Sequence, residues 1–343
     1  MADSNGTTTY DIPKKCKAGV VVNEGPDFHV EVQEVDVPEI GPEDVLIKLN
    51  CTGLCHSDLH FMLADWGIGK MSDYGTRCAG HEGAGVIVKI GANVKSLKVG
   101  QRAGFKPIAD TCGTCTYKQY VKSPERYTTI IPDGVSDYVA GPIMCSASTI
   151  YTSLKASGLR PGNWAVFPGG GGGVGIQGVQ LAEAMGYRPI VVDTGSEREK
   201  LVKELGAEHF VDFKTSADVA KEIVELTDGI GAHGVFVTAP QSYPAALTYL
   251  GMRVGGTVMC IGLPSAGTNN MTVAPAQVIF RNQTIRGTLV SSMADVDETL
   301  GFAKRGKLRL KPTIVGLSKF DESCQALKNG KVAGRIVVDF NME

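Results

Sequence analysis

Phe167-Pro168-Gly169-Gly170-Gly171-Gly172-Gly173-Val174-Gly175 decides how the second half of this chain is read. It follows an apolar run at residues 164–167 and precedes a helical pattern over residues 174–185, so the glycines stand where a strand passes into a helix. Gly170, Gly172 and Gly175 satisfy G-x-G-x-x-G, with Gly173 and Val174 between the last two. The first glycine of such a turn permits the bend, the second lets backbone N–H groups approach a pyrophosphate, and the third lets helix pack on strand. Five glycines in a row match many patterns, and alone they would also suit a flexible linker. The next apolar run, residues 190–192, ends in Asp193, 18 residues beyond Gly175. A carboxylate there accepts hydrogen bonds from an adenosine ribose and repels a 2′-phosphate. The expected ligand is therefore NAD rather than NADP, with Arg198, five residues on, softening the preference. A solvated aspartate at a strand end is the plain alternative.

Outward from this turn, residues 189–192, 209–211, 234–237, 257–261 and 284–289 form further short apolar runs separated by helical patterns. That alternation predicts βαβ units and a parallel sheet covered on both faces. Before about residue 148 the texture differs. Runs at 17–22, 28–37, 45–49, 85–90, 100–105 and 127–131, with turn signals at Glu24-Gly25-Pro26 and Gly41-Pro42, predict antiparallel β structure with a single short helix near residues 55–63. The tail predicts helices at 294–305 and 321–329, then a strand at 335–340 that returns to the first domain. The expected division is a β-barrel-like domain over residues 1–153, a doubly wound α/β domain over 154–289 and the return over 290–343.

Composition narrows the function. With 34 Lys+Arg against 36 Asp+Glu there is no basic field for nucleic acid or anionic lipid, so neither is an expected partner. No run of about 18 apolar residues occurs and the first residues lack the apolar segment of a signal peptide, which makes a cytoplasmic protein the expectation. Nine cysteines, an odd number along 343 residues, argue for reduced thiols, some of them metal ligands, over a disulfide framework.

Cys55, His81 and Cys145 stand in distinctive settings: Gly53-Leu54-Cys55-His56-Ser57-Asp58-Leu59-His60, Gly80-His81-Glu82-Gly83 and Pro142-Ile143-Met144-Cys145. Their intervals match no local zinc template, and lone cysteines are commonly small buried hydrophobes. The wording around them carries more. GLCHSDLH, AGHEGAGVIVKIGANVKSLKVG, PIMCSASTIY, AEAMGYRPIVVD after the glycine turn, and KVAGRIVVDF occur in that order. Together they closely resemble the zinc-dependent alcohol dehydrogenases of the medium-chain dehydrogenase/reductase superfamily, nearest the yeast-type branch. The resemblance implies a GroES-like catalytic domain with a Rossmann domain inserted into it.

Carried over residue by residue, it makes Cys55, His81 and Cys145 the ligands of one catalytic zinc, Glu82 an alternate ligand, and Asp58 the carboxylate that orients a ligand. Asp58 also reads simply as a carboxylate favoured at a helix start. Ser57 and His60 resemble the family's proton relay, although a histidine in that place is also an ordinary surface residue. His56 and Arg335 would face the cofactor phosphates, and Thr149 would pack on the nicotinamide. Ile261, Leu263 and Leu289 would line its pocket, positions that suit core residues equally well. The implied partners are a small alcohol or carbonyl compound and further copies of the chain.

The chain departs from the family at three places. Gln101 stands where relatives carry Asp. Tyr74-Gly75-Thr76-Arg77-Cys78 replaces the usual segment before His81, and with Trp66, Met62 and Met293 is expected to shape a partly apolar cleft. The lobe that supplies four structural-zinc cysteines in relatives is reduced to Cys112 and Cys115. Two thiolates do not close a tetrahedral site, so one zinc per chain and an assembly smaller than the branch's tetramer are expected. Two rival readings are a zinc-independent enone or quinone reductase, which the retained ligands disfavour, and a redox-dead dinucleotide-binding protein.

Overall fold

The computed structural model describes residues 9–106 and 115–343, which divide into two compact units. The first comprises residues up to Cys145 with 296–304 and 310–343; the second comprises Ser146–Asp295 with 305–309. The expected limits at 153 and 289 lie eight and six residues from these divisions.

The first unit opens with a hairpin, β1 (Lys15–Val22) against β2 (His29–Asp36). Its main sheet is built on β3 (Asp44–Gly53), whose alternation buries Val45, Ile47 and Leu49. One edge of β3 pairs antiparallel with β4 (Gly83–Ile90), which leads on to β5 (Arg102–Phe105). Two register shifts interrupt the β3–β4 ladder, and Gly85 stands where a Cβ would strike the backbone of Lys48 and Leu49. The first half of β3 also pairs with β6 (Tyr120–Pro124), and β7 (Thr128–Ile130) closes on β5. Between β3 and β4 lies α1 (His56–Leu63). The sequence pattern predicts one helix in this domain; the structure adds α2 (Asp137–Pro142) and a π turn, Ile143–Ala147. Gly141 and Pro142 hid them, since proline has no N–H to continue the ladder and the turn widens where that donor is missing.

The second unit begins with α3 (Ser148–Ala156) and β8 (Trp164–Pro168), followed by α4 (Gly175–Ala184), β9 (Arg188–Asp193), α5 (Ser196–Glu204), β10 (His209–Asp212), α6 (Val219–Leu226), β11 (Gly234–Val237), β12 (Thr257–Cys260), α7 (Pro275–Arg281) and β13 (Thr284–Gly287). These strands form one parallel sheet in the order β10-β9-β8-β11-β12-β13, a doubly wound arrangement with its reversal between β8 and β11. Val166, Ile190, Val192, Val235 and Val258 fill its core. The chain then runs through α8 (Met293–Lys304), β14 (Thr313–Val315) and α9 (Phe320–Lys328) into β15 (Ile336–Asp339). In the first unit β15 pairs with Cys51–Gly53 of β3 and with β14. No helix of the described residues is long and apolar enough to cross a membrane.

Candidate metal centre and dinucleotide turn

Three separate irregularities aim the expected ligands at one place. Cys55 is the residue before α1, and Asp58, three further on, reaches back to accept from the Cys55 N–H at 3.0 Å. Gly80 has φ +97°, a left-handed conformation that glycine tolerates, and it turns the chain so that His81 and Glu82 enter just ahead of β4. The π turn presents Cys145. One ligand atom from each of Cys55, His81, Glu82 and Cys145 lies within 4.8 Å of the others, the only such group among the described residues. Four donors around a tetrahedral zinc stand roughly 3.3–3.8 Å apart, so small side-chain movements close the set.

The surroundings suit a cation. The buried Cys55 thiol is held well below the usual range by hydrogen bonding from Cys145 and by His81, while Cys145 is pushed up by the same contact and by burial. Burial works against charge on His81, and the Asp58 carboxylate with the two thiols outweighs it, holding the imidazole well above its usual range. His81 Nδ1 contacts Asp58 Oδ1 at 2.7 Å, which leaves Nε2 for a metal. Glu82 faces the guanidinium of Arg335 as a buried ion pair without hydrogen-bond geometry, leaving both carboxylate oxygens without a hydrogen bond. Orphaned donors of this kind, beside two thiols and an imidazole, fit zinc.

On α1, Ser57 and His60 are three residues apart and share a face. His60 is 7% exposed, so it is not a surface histidine. Its Nδ1 lies 2.7 Å from Asp65 Oδ1, and its ring stacks on Trp66 at 5.0 Å and meets the exposed His56 edge-on at 5.7 Å. Asp65 was not foreseen. It follows the helix end, where Ala64 at φ 53° folds the chain back, and no periodicity marks such a turn. Two cleft expectations need correction: Met62 and Cys78 are both buried within the hydrophobic core of the first unit. Cys112 lies outside the described residues, and Thr76 Oγ1 lies 3.5 Å from the Cys115 sulfur.

In the second unit the glycine turn follows β8. Gly169 N donates to Val192 O at 2.8 Å and Gly171 N to Asp193 Oδ2 at 2.9 Å. A Cβ at Gly170 would meet both Val191 methyls at 2.7 Å, and one at Gly175 would strike the backbone of Gly169 and Gly170. At Gly172 it would meet only Gly169 O, at 3.3 Å, so that side of the turn is open at the start of α4, as a pyrophosphate cradle requires. Asp193 Oδ1 accepts from Thr194 N at 2.8 Å and pairs with Arg198 Nη1 at 3.0 Å, and the Arg198 stem lies across Gly171. Asp193 is thus not simply solvated. Thr149 on α3 carries a buried hydroxyl without a hydrogen-bond partner. Ile261 is buried, whereas Leu263 is 40% exposed and Leu289 70% exposed, which removes the core reading for both leucines.

A doubly wound sheet carrying a glycine-rich turn, with a Cys₂His donor set of two buried thiols and a half-buried imidazole in a separate β-rich unit, defines a metal-dependent dinucleotide dehydrogenase. Residues 41–143 match the family of alcohol dehydrogenase GroES-like domains, and residues 173–305 match the family of zinc-binding dehydrogenases. The sequence is 36% identical to alcohol dehydrogenase 2 of Emericella nidulans, over 96% of this chain and 99% of that protein. It is equally similar, 36% identical over 96% and 99%, to an alcohol dehydrogenase of Schizosaccharomyces pombe. Among solved structures, benzyl alcohol dehydrogenase from Acinetobacter calcoaceticus shares the fold with a TM-score of 0.83 at 22% identity, covering 96% of this chain and all of that one. The chain belongs to the zinc-dependent alcohol dehydrogenases of the medium-chain dehydrogenase/reductase superfamily.

Proposed function

We propose that this enzyme interconverts an alcohol with its aldehyde or ketone using NAD(H), with Cys55, His81 and Cys145 holding one zinc ion and Glu82 available as an alternate ligand. When bound, zinc polarises the substrate oxygen and NAD takes up the hydride. The single observation carrying this is the convergence of four donors, three buried and His81 half-buried, with His81 aimed by Asp58. Ser57 and His60 carry the alcohol's proton toward solvent, and Asp65 on Nδ1 leaves Nε2 of His60 as the nitrogen that exchanges it. The turn at Gly170, Gly172, Gly173, Val174 and Gly175 holds the pyrophosphate. Asp193 and Arg198 hold the ribose, and Arg198 tempers rather than abolishes the preference for NAD. His56, Thr149, Ile261, Leu263, Leu289 and Arg335 complete the cofactor contacts.

A cytoplasmic location is part of the proposal, supported by the nine cysteines, an odd number spread along the chain, which read as reduced thiols. A homodimer is the assembly proposed: β13 is an exposed sheet edge, and Phe280 at 85% and Ile279 at 74% exposure add uncovered apolar surface beside it. The test is NADH absorbance with a panel of alcohols and carbonyls, alongside elemental analysis of the purified chain. Turnover with about one zinc per chain, lost in Cys145→Ala while NADH still binds, is expected. Full turnover by metal-depleted folded protein would refute the zinc assignment, and turnover of carbonyl-conjugated enones alone would favour the reductase.

A further inference from the structure

We propose that Tyr117 is a positioning residue for the metal centre, its buried hydroxyl locking the carboxylate that aims His81. The inference rests on reading Cys55, His81, Glu82 and Cys145 as a zinc site.

Asp58 is wholly buried, and an ionised carboxylate there has about four lone-pair positions to satisfy. Four donors meet them. On Oδ1 these are His81 Nδ1 at 2.7 Å and Gly80 N at 3.0 Å; on Oδ2 they are Cys55 N at 3.0 Å and Tyr117 Oη at 3.0 Å. Two are backbone groups from the segments bearing the ligands Cys55 and His81, and a third is the ligand His81 itself. Tyr117 is the one side chain in the set that binds no metal, and it comes from a different stretch of chain.

That stretch is held tightly enough to act as a stop. Thr116 N donates to Gly80 O at 3.1 Å, Tyr117 N to Ala79 O at 3.0 Å and Gly19 N to Tyr117 O at 2.7 Å. The Tyr117 ring packs against Phe320, with centroids 4.6 Å apart, and it occupies the space a Cβ on Gly80 would need. Gly80 is therefore fixed as glycine twice, by its positive φ and by this ring. Thr116 Oγ1 accepts from the Glu82 N–H at 3.2 Å, so adjacent residues brace two neighbouring members of the donor set.

Without the hydroxyl, Oδ2 keeps a single donor, the Asp58 carboxylate turns more freely, and the imidazole it orients loses its fixed aim. Removing a direct partner of a ligating histidine typically costs 10–100-fold in metal affinity or activity. Tyr117 acts one step further out, so Tyr117→Phe is expected to speed zinc release by roughly 3–10-fold, below that direct cost.

The test uses the full zinc-loaded chain. Zinc transfer to a chromogenic chelator gives the release rate, visible absorption of the cobalt-substituted chain reports ligand geometry, and thermal unfolding of the metal-free chain isolates purely structural damage. Faster release together with shifted cobalt bands is expected, both in Tyr117→Phe and, more weakly, in Phe320→Leu, which loosens the ring and spares the hydroxyl. A lowered metal-free Tm with parental release rate and unmoved bands would overturn the proposal and leave Tyr117 as buried scaffolding. A parent chain that binds no zinc would overturn the metal reading beneath it; a parent that binds zinc, alongside a Cys145→Ala variant that does not, confines the outcome to the role of Tyr117.

Discussion

The glycine turn contains two positions whose glycines exist for different reasons, and alanine separates them. At Gly175 a Cβ would stand 2.6 Å from Gly169 O and Gly170 C, all of it backbone that can yield only by opening the turn. Overpacking of that kind costs about 1–3 kcal/mol. In a folding unit of this size each kcal/mol moves Tm by roughly 2–4 °C, so Gly175→Ala should melt about 2–12 °C lower. At Gly172 the sole neighbour is Gly169 O at 3.3 Å, a tight contact that asks that carbonyl to give by a few tenths of an ångström, and its φ is not positive, so alanine is far less crowded there than at Gly175. Stability should change less than in Gly175→Ala, the cost of that one contact being set against the reduced freedom of the unfolded chain. The methyl instead occupies the side proposed for the pyrophosphate, and NADH affinity should fall at least about tenfold, or about 1.4 kcal/mol. Thermal unfolding without ligand and fluorescence titration with NADH measure both quantities on both variants. Parental NADH affinity in Gly172→Ala would refute the placement of the dinucleotide, and a parental Tm in Gly175→Ala would refute the steric argument.

Two further outcomes are expected. Asp65→Asn should lower kcat by about 10–100-fold while changing the KM for NAD by less than about threefold, since it releases the His60 tautomer and leaves cofactor recognition alone; equal losses in kcat and kcat/KM of the Ser57→Ala/Asp65→Asn pair and of Ser57→Ala alone would show the two acting in one relay, whereas an unchanged kcat in Asp65→Asn removes it from the chemistry. Asp295 is held down to about 2 because Lys155 Nζ at 2.9 Å, Ser292 Oγ at 2.8 Å and Thr152 Oγ1 at 3.0 Å outweigh its burial. A depressed carboxylate stabilises the fold above its unfolded value near 3.8 and loses that contribution as pH falls toward about 2. Allowing for the half-exposed Lys155, this amounts to ~1–2 kcal/mol. The urea midpoint should therefore drop less between pH 5 and pH 3 in Asp295→Asn than in the parent; parallel drops would contradict it.

What could be read from the sequence was whatever repeats with a period or is spelled in a motif. The inner strands of the parallel sheet, β8, β9, β11 and β12, stood out because they are short, mainly apolar runs that are almost wholly buried, and α4 because it follows the glycine-rich turn. Cys55, His81 and Cys145 were legible only through the words around them, as their spacing depends on how β3, β4 and the π turn meet in space. Asp65 and Tyr117 carried no signal, one standing after a left-handed helix end and the other donating across 59 residues of chain. Met62 and Cys78 misled because an apolar side chain beside a site reads the same whether it faces the cleft or the core.

The position of β15 bears on how the protein is made. All four candidate ligands lie between residues 55 and 145, yet β15, which flanks β3 at Cys51–Gly53, and Arg335, which neutralises Glu82, leave the ribosome some 190 residues after the last of them. The parallel-sheet unit, Ser146–Asp295, is complete before then and can fold while synthesis continues. The barrel unit must wait with part of the β3 edge open and a buried acid without its counter-charge. A nascent chain stalled in α8 or β14 would hold the Cys51–Gly53 edge without β15 and Glu82 without Arg335.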